Sequence, residues 1–275
     1  MDSLFSKEGT SRLDEIVGPG LLCAFDFDGT LAPIVPHPAQ AHLPEDIRSR
    51  LNALSVHAPV AVITGRSVSD ISARLGFAPD FIIGNHGLEG VPGWEAQAAY
   101  HERLCSGWRE HIGLALRTQG FDPGILMEDK RYSLSLHYRE TRTPSLEEER
   151  LAALFRQLSP APRVVAGKYV FNLLAQDACH KGSALEQVMR ICGARNAIYA
   201  GDDVTDEDVF RLRRHDVLTV RIERSSDTAA DFYLPSPSDI LWLLDELTDR
   251  LRQLGTRNWV QAETEPTPTA YQSTI

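Results

Sequence analysis

Runs of apolar residues and their spacing divide the chain into alternating elements. Leu21-Leu22-Cys23-Ala24-Phe25 is a short unbroken apolar run ending at Asp26, the pattern of a strand buried on both faces. Val60–Ile63 and Phe81–Ile83 repeat it. Between them, Ile47, Leu51 and Leu54 fall on one face of a helix over Asp46–Leu54, and Val68–Leu75 reads as a second helix. Thr30–Pro38 holds three prolines and is read as loop. Strand, helix, strand, helix, strand predicts an open α/β sheet.

The pattern then changes. Trp94–Gln119 predicts a long helix, followed by strands over Ile125–Glu128 and Ser133–Tyr138. In the second strand Leu134, Leu136 and Tyr138 alternate with Ser133, Ser135 and His137, as in an antiparallel sheet with one covered face. A helix is expected over Ser145–Leu158, with Ser145 and Glu148 spaced as a capping box. Arg163–Val165 and Tyr169–Phe171 flank Gly167 as a hairpin. The α/β pattern resumes with a helix over Lys181–Ile191, strands over Ala197–Ala200 and Leu218–Ile222, and a last helix over Pro237–Leu254. The expected division is a core of residues 15–94 and 175–255, an α+β insertion over 95–174, and a flexible polar tail over 256–275.

Composition narrows the class. With 275 residues, 43% of them apolar, the chain can bury a full core. A net charge of −10 argues against nucleic acid as a partner but leaves room for a small phosphorylated ligand in a locally positive cleft. The four cysteines form no C-x-x-C pair, so reduced thiols in a cytoplasmic protein are expected, with Cys179-His180 structural rather than zinc-binding. No signal peptide and no membrane-spanning stretch is visible, and no membrane partner is expected. A monomer or small homo-oligomer fits.

Chemistry-bearing residues gather at the strand ends. Asp26 and Asp28 follow the first buried strand, Thr64-Gly65-Arg66 the second, Gly84-Asn85-His86 the third, and Gly201-Asp202-Asp203 the strand over Ala197–Ala200. In open α/β sheets ligands bind at the carboxyl ends of the strands, so the four clusters are expected to converge. Alone, Asp26-Phe27-Asp28-Gly29-Thr30 could be a turn. Carboxylates crowded at a buried edge need a cation, and Mg²⁺ suits an all-oxygen set from Asp26, Asp28 and Asp202. Lys181, opening a helix, and the Thr64 hydroxyl offer a positive charge and a donor to a phosphate, while Gly29 and Gly65 permit close backbone approach.

In this order, Asp26-Phe27-Asp28-Gly29-Thr30-Leu31, Thr64, Lys181 and Gly201-Asp202-Asp203 resemble the four motifs of the haloacid dehalogenase superfamily phosphatases. The resemblance tightens to the trehalose-6-phosphate phosphatases through Pro36-His37-Pro38, Gly84-Asn85-His86-Gly87-Leu88-Glu89, Leu136-His137-Tyr138-Arg139, Gly167-Lys168-Tyr169-Val170 and Asp202-Asp203-Val204-Thr205-Asp206-Glu207. It implies a Rossmann-like parallel-sheet hydrolase core with an inserted α+β cap. It also implies a Mg²⁺-dependent phosphatase completing trehalose biosynthesis through an aspartyl-phosphate. Asp26 would be the nucleophile and Asp28 the general acid and base, whose backbone carbonyl also binds the metal. Asp202 would complete the ligand set with Asp203 close by, Asp206 would support it, and Thr64 and Lys181 would hold the phosphoryl group. Gly65, Arg66, His86 and Glu89 on the core, and Glu128, Lys130 and Asn172 on the cap, would face the sugar phosphate. Asn172 departs from the family, which carries glutamate there. Two other readings stay open: a relative acting on sucrose phosphate or a mannosyl phosphoglycerate, and a non-catalytic binding module. The presence together of Asp26, Asp28, Lys181 and Asp202 speaks against the second.

Overall fold

The computed structural model describes residues 1–35 and 37–263. Its elements in chain order are β1 (Asp2–Ser3), α1 (Lys7–Ile16), β2 (Leu21–Phe25), α2 (Glu45–Ser55), β3 (Val60–Ile63), α3 (Val68–Leu75), β4 (Phe81–Ile83), α4 (Glu95–Thr118), β5 (Leu126–Asp129), β6 (Leu134–His137), α5 (Pro144–Phe155), β7 (Arg163–Gly167), β8 (Val170–Leu174), α6 (Lys181–Cys192), β9 (Asn196–Gly201), α7 (Glu207–Phe210), β10 (Val217–Ile222), β11 (Phe232–Leu234) and α8 (Ile240–Glu263).

Seven strands form one sheet in the order β1-β11-β10-β9-β2-β3-β4, and every pairing is parallel. The unbroken apolar runs have their cause here, because both faces are covered. Cys23, Phe25, Val60, Val62, Ile198, Ala200, Leu218 and Val220 pack into one layer with α1, α2 and α8. Leu22, Ala24, Ala61, Ile63, Ala197 and Tyr199 point the other way, into a layer with α6 and α7. Each fully buried aliphatic side chain contributes about 1.5–3 kcal/mol. Strand β2 sits at the middle, between β3 and β9, so the chain leaves it toward both sides of the sheet. That switch point opens a crevice past the end of β2, where Asp26 lies.

The second sheet is antiparallel, in the order β5-β6-β8-β7. One face carries Leu134, Leu136, Phe171 and Leu173, packed under Cys105, Trp108 and Ile112 of α4 and Leu151, Leu154 and Phe155 of α5. Register places Glu128, Ser135 and Asn172 side by side in one row across the opposite face.

Several expectations are corrected. The parallel sheet begins before residue 15, since β1 and α1 belong to it, and β11 was not foreseen. Helix α5 starts one residue early, with Thr143 at its N-cap, Pro144 in its first turn and no side-chain cap bond, so Ser145–Glu148 is not a capping box. The hairpin turns at Lys168-Tyr169 rather than at Gly167, with Tyr169 taking a left-handed φ of 62°. Helix α8 runs to Glu263, through the first part of the expected tail; the rest of that tail, 264–275, and Pro36 lie outside the described residues. No described helix is long and apolar enough to cross a membrane.

Candidate active site

The four strand-end clusters meet. Asp26, Asp28, Thr64, Gly65, Arg66, His86, Lys181, Asp202 and Asp203 line a single cleft of about 540 Å³ at the carboxyl edge of the sheet, rimmed by Ile34, Val35 and Thr205. Two glycines make the approach possible. Gly29 has φ +83°, and a Cβ there would run into the Asp202 carboxylate. A Cβ on Gly65 would occupy the space of the His86 ring.

Lys181 is the first residue of α6 and is buried, with 1% of its surface exposed. Its Nζ lies 3.0 Å from Asp26 Oδ1 and 2.7 Å from Asp206 Oδ1. Burial works to discharge this ammonium, but the two carboxylates outweigh it and raise its pKa above the ordinary lysine value. One cation thus faces two buried carboxylates. Asp206 is the better served: Oδ1 accepts from Lys181 and from the Tyr199 hydroxyl at 2.6 Å, and Oδ2 accepts from the backbone N–H groups of Asp202 and Asp203, each at 2.9 Å. Asp26 is left short. Burial, reinforced by the Asp206 charge and opposed by Lys181, pushes its carboxyl up to about 8. Asp202 is pushed up to about 6, again by burial first and the Asp206 charge second.

Such a site fits a hard cation. Among the described residues, Asp26, Asp202 and Asp206 bring carboxylate oxygens within 4.8 Å of one another. Because four donors already fill Asp206, the oxygens with capacity left belong to Asp26 and Asp202. Among the described side-chain donors, Asp202 accepts only from the Thr30 hydroxyl, at 3.2 Å. A cation there would relieve the two carboxyls that burial now disfavours.

Asp28 points elsewhere. Its two oxygens accept from Nε and Nη2 of Arg66 at 2.6 and 2.7 Å, a bidentate pair. Arg66, expected to face the substrate, is thus engaged with Asp28 in this structure. Thr64 is buried and its Oγ1 accepts the Arg66 backbone N–H at 3.2 Å, leaving the hydroxyl hydrogen available to an oxygen in the cleft.

Asn85 and His86 both hold left-handed backbone, φ 49° and 58°, in a tight turn after β4. Consecutive left-handed residues are strained. Glu89 stabilises the turn, accepting from Asn85 Nδ2 at 2.8 Å and from the Val68 N–H at 2.9 Å. Glu89 is therefore engaged in holding the turn and is not among the residues lining the cleft, and it also meets Arg131 of the inserted unit at 3.4 Å. Desolvation of the ring, and then the Lys181 and Lys130 charges, hold the His86 imidazole below its ordinary value, although the residue as a whole is exposed and water screens those charges.

Glu128, Lys130 and Asn172 do not line the cleft; they lie on the open face of the second sheet. Lys130 Nζ is 3.6 Å from Glu128, and His137 Nε2 lies 3.1 Å from the same carboxylate. Ser135 is wholly buried and hydrogen-bonds Asn172 Oδ1 at 2.6 Å. Sequence reasoning did not assign Ser135, His137 or Tyr199 to the site. The alternation of Ser135 and His137 with Leu134 and Leu136 was the available signal for the first two; a tyrosine inside an apolar strand gave none for the third.

The trehalose-phosphatase family model matches residues 24–238. The chain is 30% identical over 264 residues to the trehalose-phosphate phosphatase of Mycobacterium marinum, covering 90% of this chain and 66% of that protein. It is 32% identical over 253 residues to that of Mycobacterium leprae, covering 84% and 57%. The chain thus spans less than two thirds of the length of these curated relatives. A solved Aspergillus fumigatus trehalose-6-phosphate phosphatase is similar in fold, with TM-score 0.65 at 21% identity over 90% of this chain and 99% of that one. A parallel core of haloacid dehalogenase type, with Asp26, Lys181 and Asp202 meeting at its switch point and the family match running through all of them, gives one conclusion: the chain belongs to the trehalose-phosphatase family.

Proposed function

We propose that this protein hydrolyses trehalose 6-phosphate to trehalose and phosphate in the cytoplasm, as the last step of trehalose biosynthesis, using Mg²⁺ and an aspartyl-phosphate on Asp26. The observation that carries the reading is the meeting of Asp26, Lys181 and Asp202 in one cleft, with family likeness across it. The four free thiols fit a reducing compartment.

Asp26 is the nucleophile. Its carboxylate sits at the floor of the cleft, 3.0 Å from the Lys181 ammonium, so a phosphoryl group bound there faces a carboxylate on one side and a fixed positive charge on the other. Its Oδ forms the bond to phosphorus as the bond to the sugar oxygen breaks, and that oxygen takes a proton from Asp28. Asp28 then accepts a proton from water as the water oxygen attacks phosphorus and releases Asp26. Thr64 and Lys181 neutralise the phosphoryl oxygens throughout. Mg²⁺, held by Asp26 and Asp202 with the Asp28 backbone carbonyl and Asp203 nearby, would add charge neutralisation on the phosphoryl oxygens. Residues 95–174 act as a cap, on which Glu128, Lys130 and Asn172, with His137 beside Glu128, read the sugar hydroxyls, while the buried Ser135 holds the Asn172 amide in place. Arg66, Gly65 and His86 form the wall between cap and phosphate.

A phosphate-release panel tests this, with trehalose 6-phosphate, sucrose 6-phosphate, glucose 6-phosphate and a mannosyl phosphoglycerate, each with Mg²⁺ and with chelator. Selective, Mg²⁺-dependent release from trehalose 6-phosphate is expected. Preference for another ester, or equal rates in chelator, would overturn the assignment.

A further inference from the structure

The bidentate grip on Asp28 does not end at Arg66. The remaining amino group of that guanidinium, Nη1, donates to Asp70 Oδ2 at 2.8 Å. Asp70 is gripped in turn by Arg74, through Nη2 to Oδ1 at 2.6 Å and Nε to Oδ2 at 3.0 Å. Arg74 Nη1 then donates to the carbonyls of Ala39 at 2.7 Å and Ala41 at 3.0 Å. The result is an alternating ladder, Asp28–Arg66–Asp70–Arg74, running from the cleft to the loop that follows Ile34 and Val35 on its rim.

Three features make the ladder a rigid support. Asp70 and Arg74 stand one turn apart on α3, whose first turn is capped by Ser67 accepting from the Asp70 N–H at 3.2 Å. Both end pairings are planar forks, which fix the angle of each carboxylate as well as its distance. The two guanidiniums are also the buried members: the Arg66 and Arg74 side chains are 11% and 18% exposed, against 40% for Asp28 and 36% for Asp70. Each carboxylate is thus gripped by a more buried guanidinium, and neither Asp70 nor Arg74 lines the cleft.

We propose that Asp70 and Arg74 are positioning residues that act through Arg66 to fix the Asp28 carboxyl where it meets the leaving oxygen. The inference rests on the phosphatase reading, in which Asp28 delivers that proton, but not on which sugar is bound. Arg66 touches Asp28 directly; Asp70 orients Arg66; Arg74 orients Asp70 and ties both to the rim loop. Loosening the far end of the ladder lets the Asp28 carboxyl swing, so proton delivery suffers while phosphoryl binding by Thr64 and Lys181 does not.

A leaving-group series distinguishes this role from a merely structural one. kcat/KM is measured for simple alkyl phosphates, the sugar phosphate, phenyl phosphate and 4-nitrophenyl phosphate, with wild type, Asp70→Asn, Arg74→Ala and Arg74→Lys. General acid catalysis supplies roughly 10²–10⁴-fold, and loss of alignment is expected to remove about tenfold of it on alkyl and sugar esters. The 4-nitrophenyl ester departs without a proton and should lose much less, so the dependence of log kcat/KM on leaving-group pKa steepens. Arg74→Lys keeps the charge but not the fork and should resemble Arg74→Ala. Parallel losses across the series, or an unchanged series in all three variants, would overturn the proposal. Thermal melts accompany each variant, and should Arg74→Ala fail to fold, Asp70→Asn and Arg74→Lys carry the same comparison. Because alkyl and aryl esters are included, failure on trehalose 6-phosphate alone would count against the sugar assignment and leave the slope readable. A wild-type protein inactive on every ester would overturn both.

Discussion

Asp206 serves four donors with two oxygens and exposes none of its surface, so replacing it should cost more than any other single change at the site. In Asp206→Ala the Lys181 ammonium keeps only Asp26, the Tyr199 hydroxyl loses its acceptor in a fully buried position, and the N–H groups of Asp202 and Asp203 lose theirs. Removing one partner of a buried ion pair costs about 3–5 kcal/mol. A buried hydroxyl left without its bond adds about 1–3 kcal/mol. The two N–H groups sit beside the open cleft, where water can reach them, and add little. Asp206→Ala should therefore lose about 4–8 kcal/mol, a large share of the 5–15 kcal/mol typical of a folded domain. Asp206→Asn keeps one accepting oxygen but turns an NH₂ toward either the ammonium or the backbone donors, and should lose about half as much. Urea unfolding followed by tryptophan fluorescence and far-UV circular dichroism measures both. An asparagine variant within about 0.5 kcal/mol of wild type would refute the reasoning, because surface-like tolerance is incompatible with a saturated buried carboxylate.

Gly29→Ala drives a methyl group into the Asp202 carboxylate from a backbone of φ +83°, and should weaken Mg²⁺ binding by about 10–100-fold in calorimetric titration; unchanged affinity would mean that Asp202 is not a ligand. The His86 imidazole is held below its ordinary 6.5 by desolvation and by the Lys181 and Lys130 charges, so its NMR signals should titrate well below that value. Because the folded value lies below the unfolded one, any stability His86 contributes is full above pH 6.5 and falls away as the solution is acidified toward 4; a midpoint at or above 6.5 would contradict this.

The core was legible because its strands are buried on both faces, which leaves unbroken apolar runs such as Leu21–Phe25 and Val60–Ile63. The elements that escaped are at the far edge of the sheet. In α1 only Gly9, Leu13 and Ile16 are buried, too few to mark a helical stripe, while β1 has two residues and β11 three. At the site, Asp26, Thr64, Lys181 and Asp202 could be found because each follows or precedes an apolar element at the same edge. The hydrogen bonds among them could not. Nothing in the spacing of Asp28, Arg66, Asp70 and Arg74 shows that four charges on a loop and a helix form one ladder, since that depends on side-chain direction across the cleft. The same holds for Ser135 and Asn172, thirty-seven positions apart and joined only by the register of β6 against β8.

The central claim is that Asp26 takes the phosphoryl group. Wild-type protein and Asp26→Asn are mixed with trehalose 6-phosphate and Mg²⁺, quenched in acid within the first turnover, and digested for mass spectrometry. The account predicts one phosphoryl group on the peptide holding Asp26 in wild type, and neither that adduct nor released phosphate from Asp26→Asn. Phosphate released by Asp26→Asn at a rate near wild type, or an adduct on another residue, would contradict it.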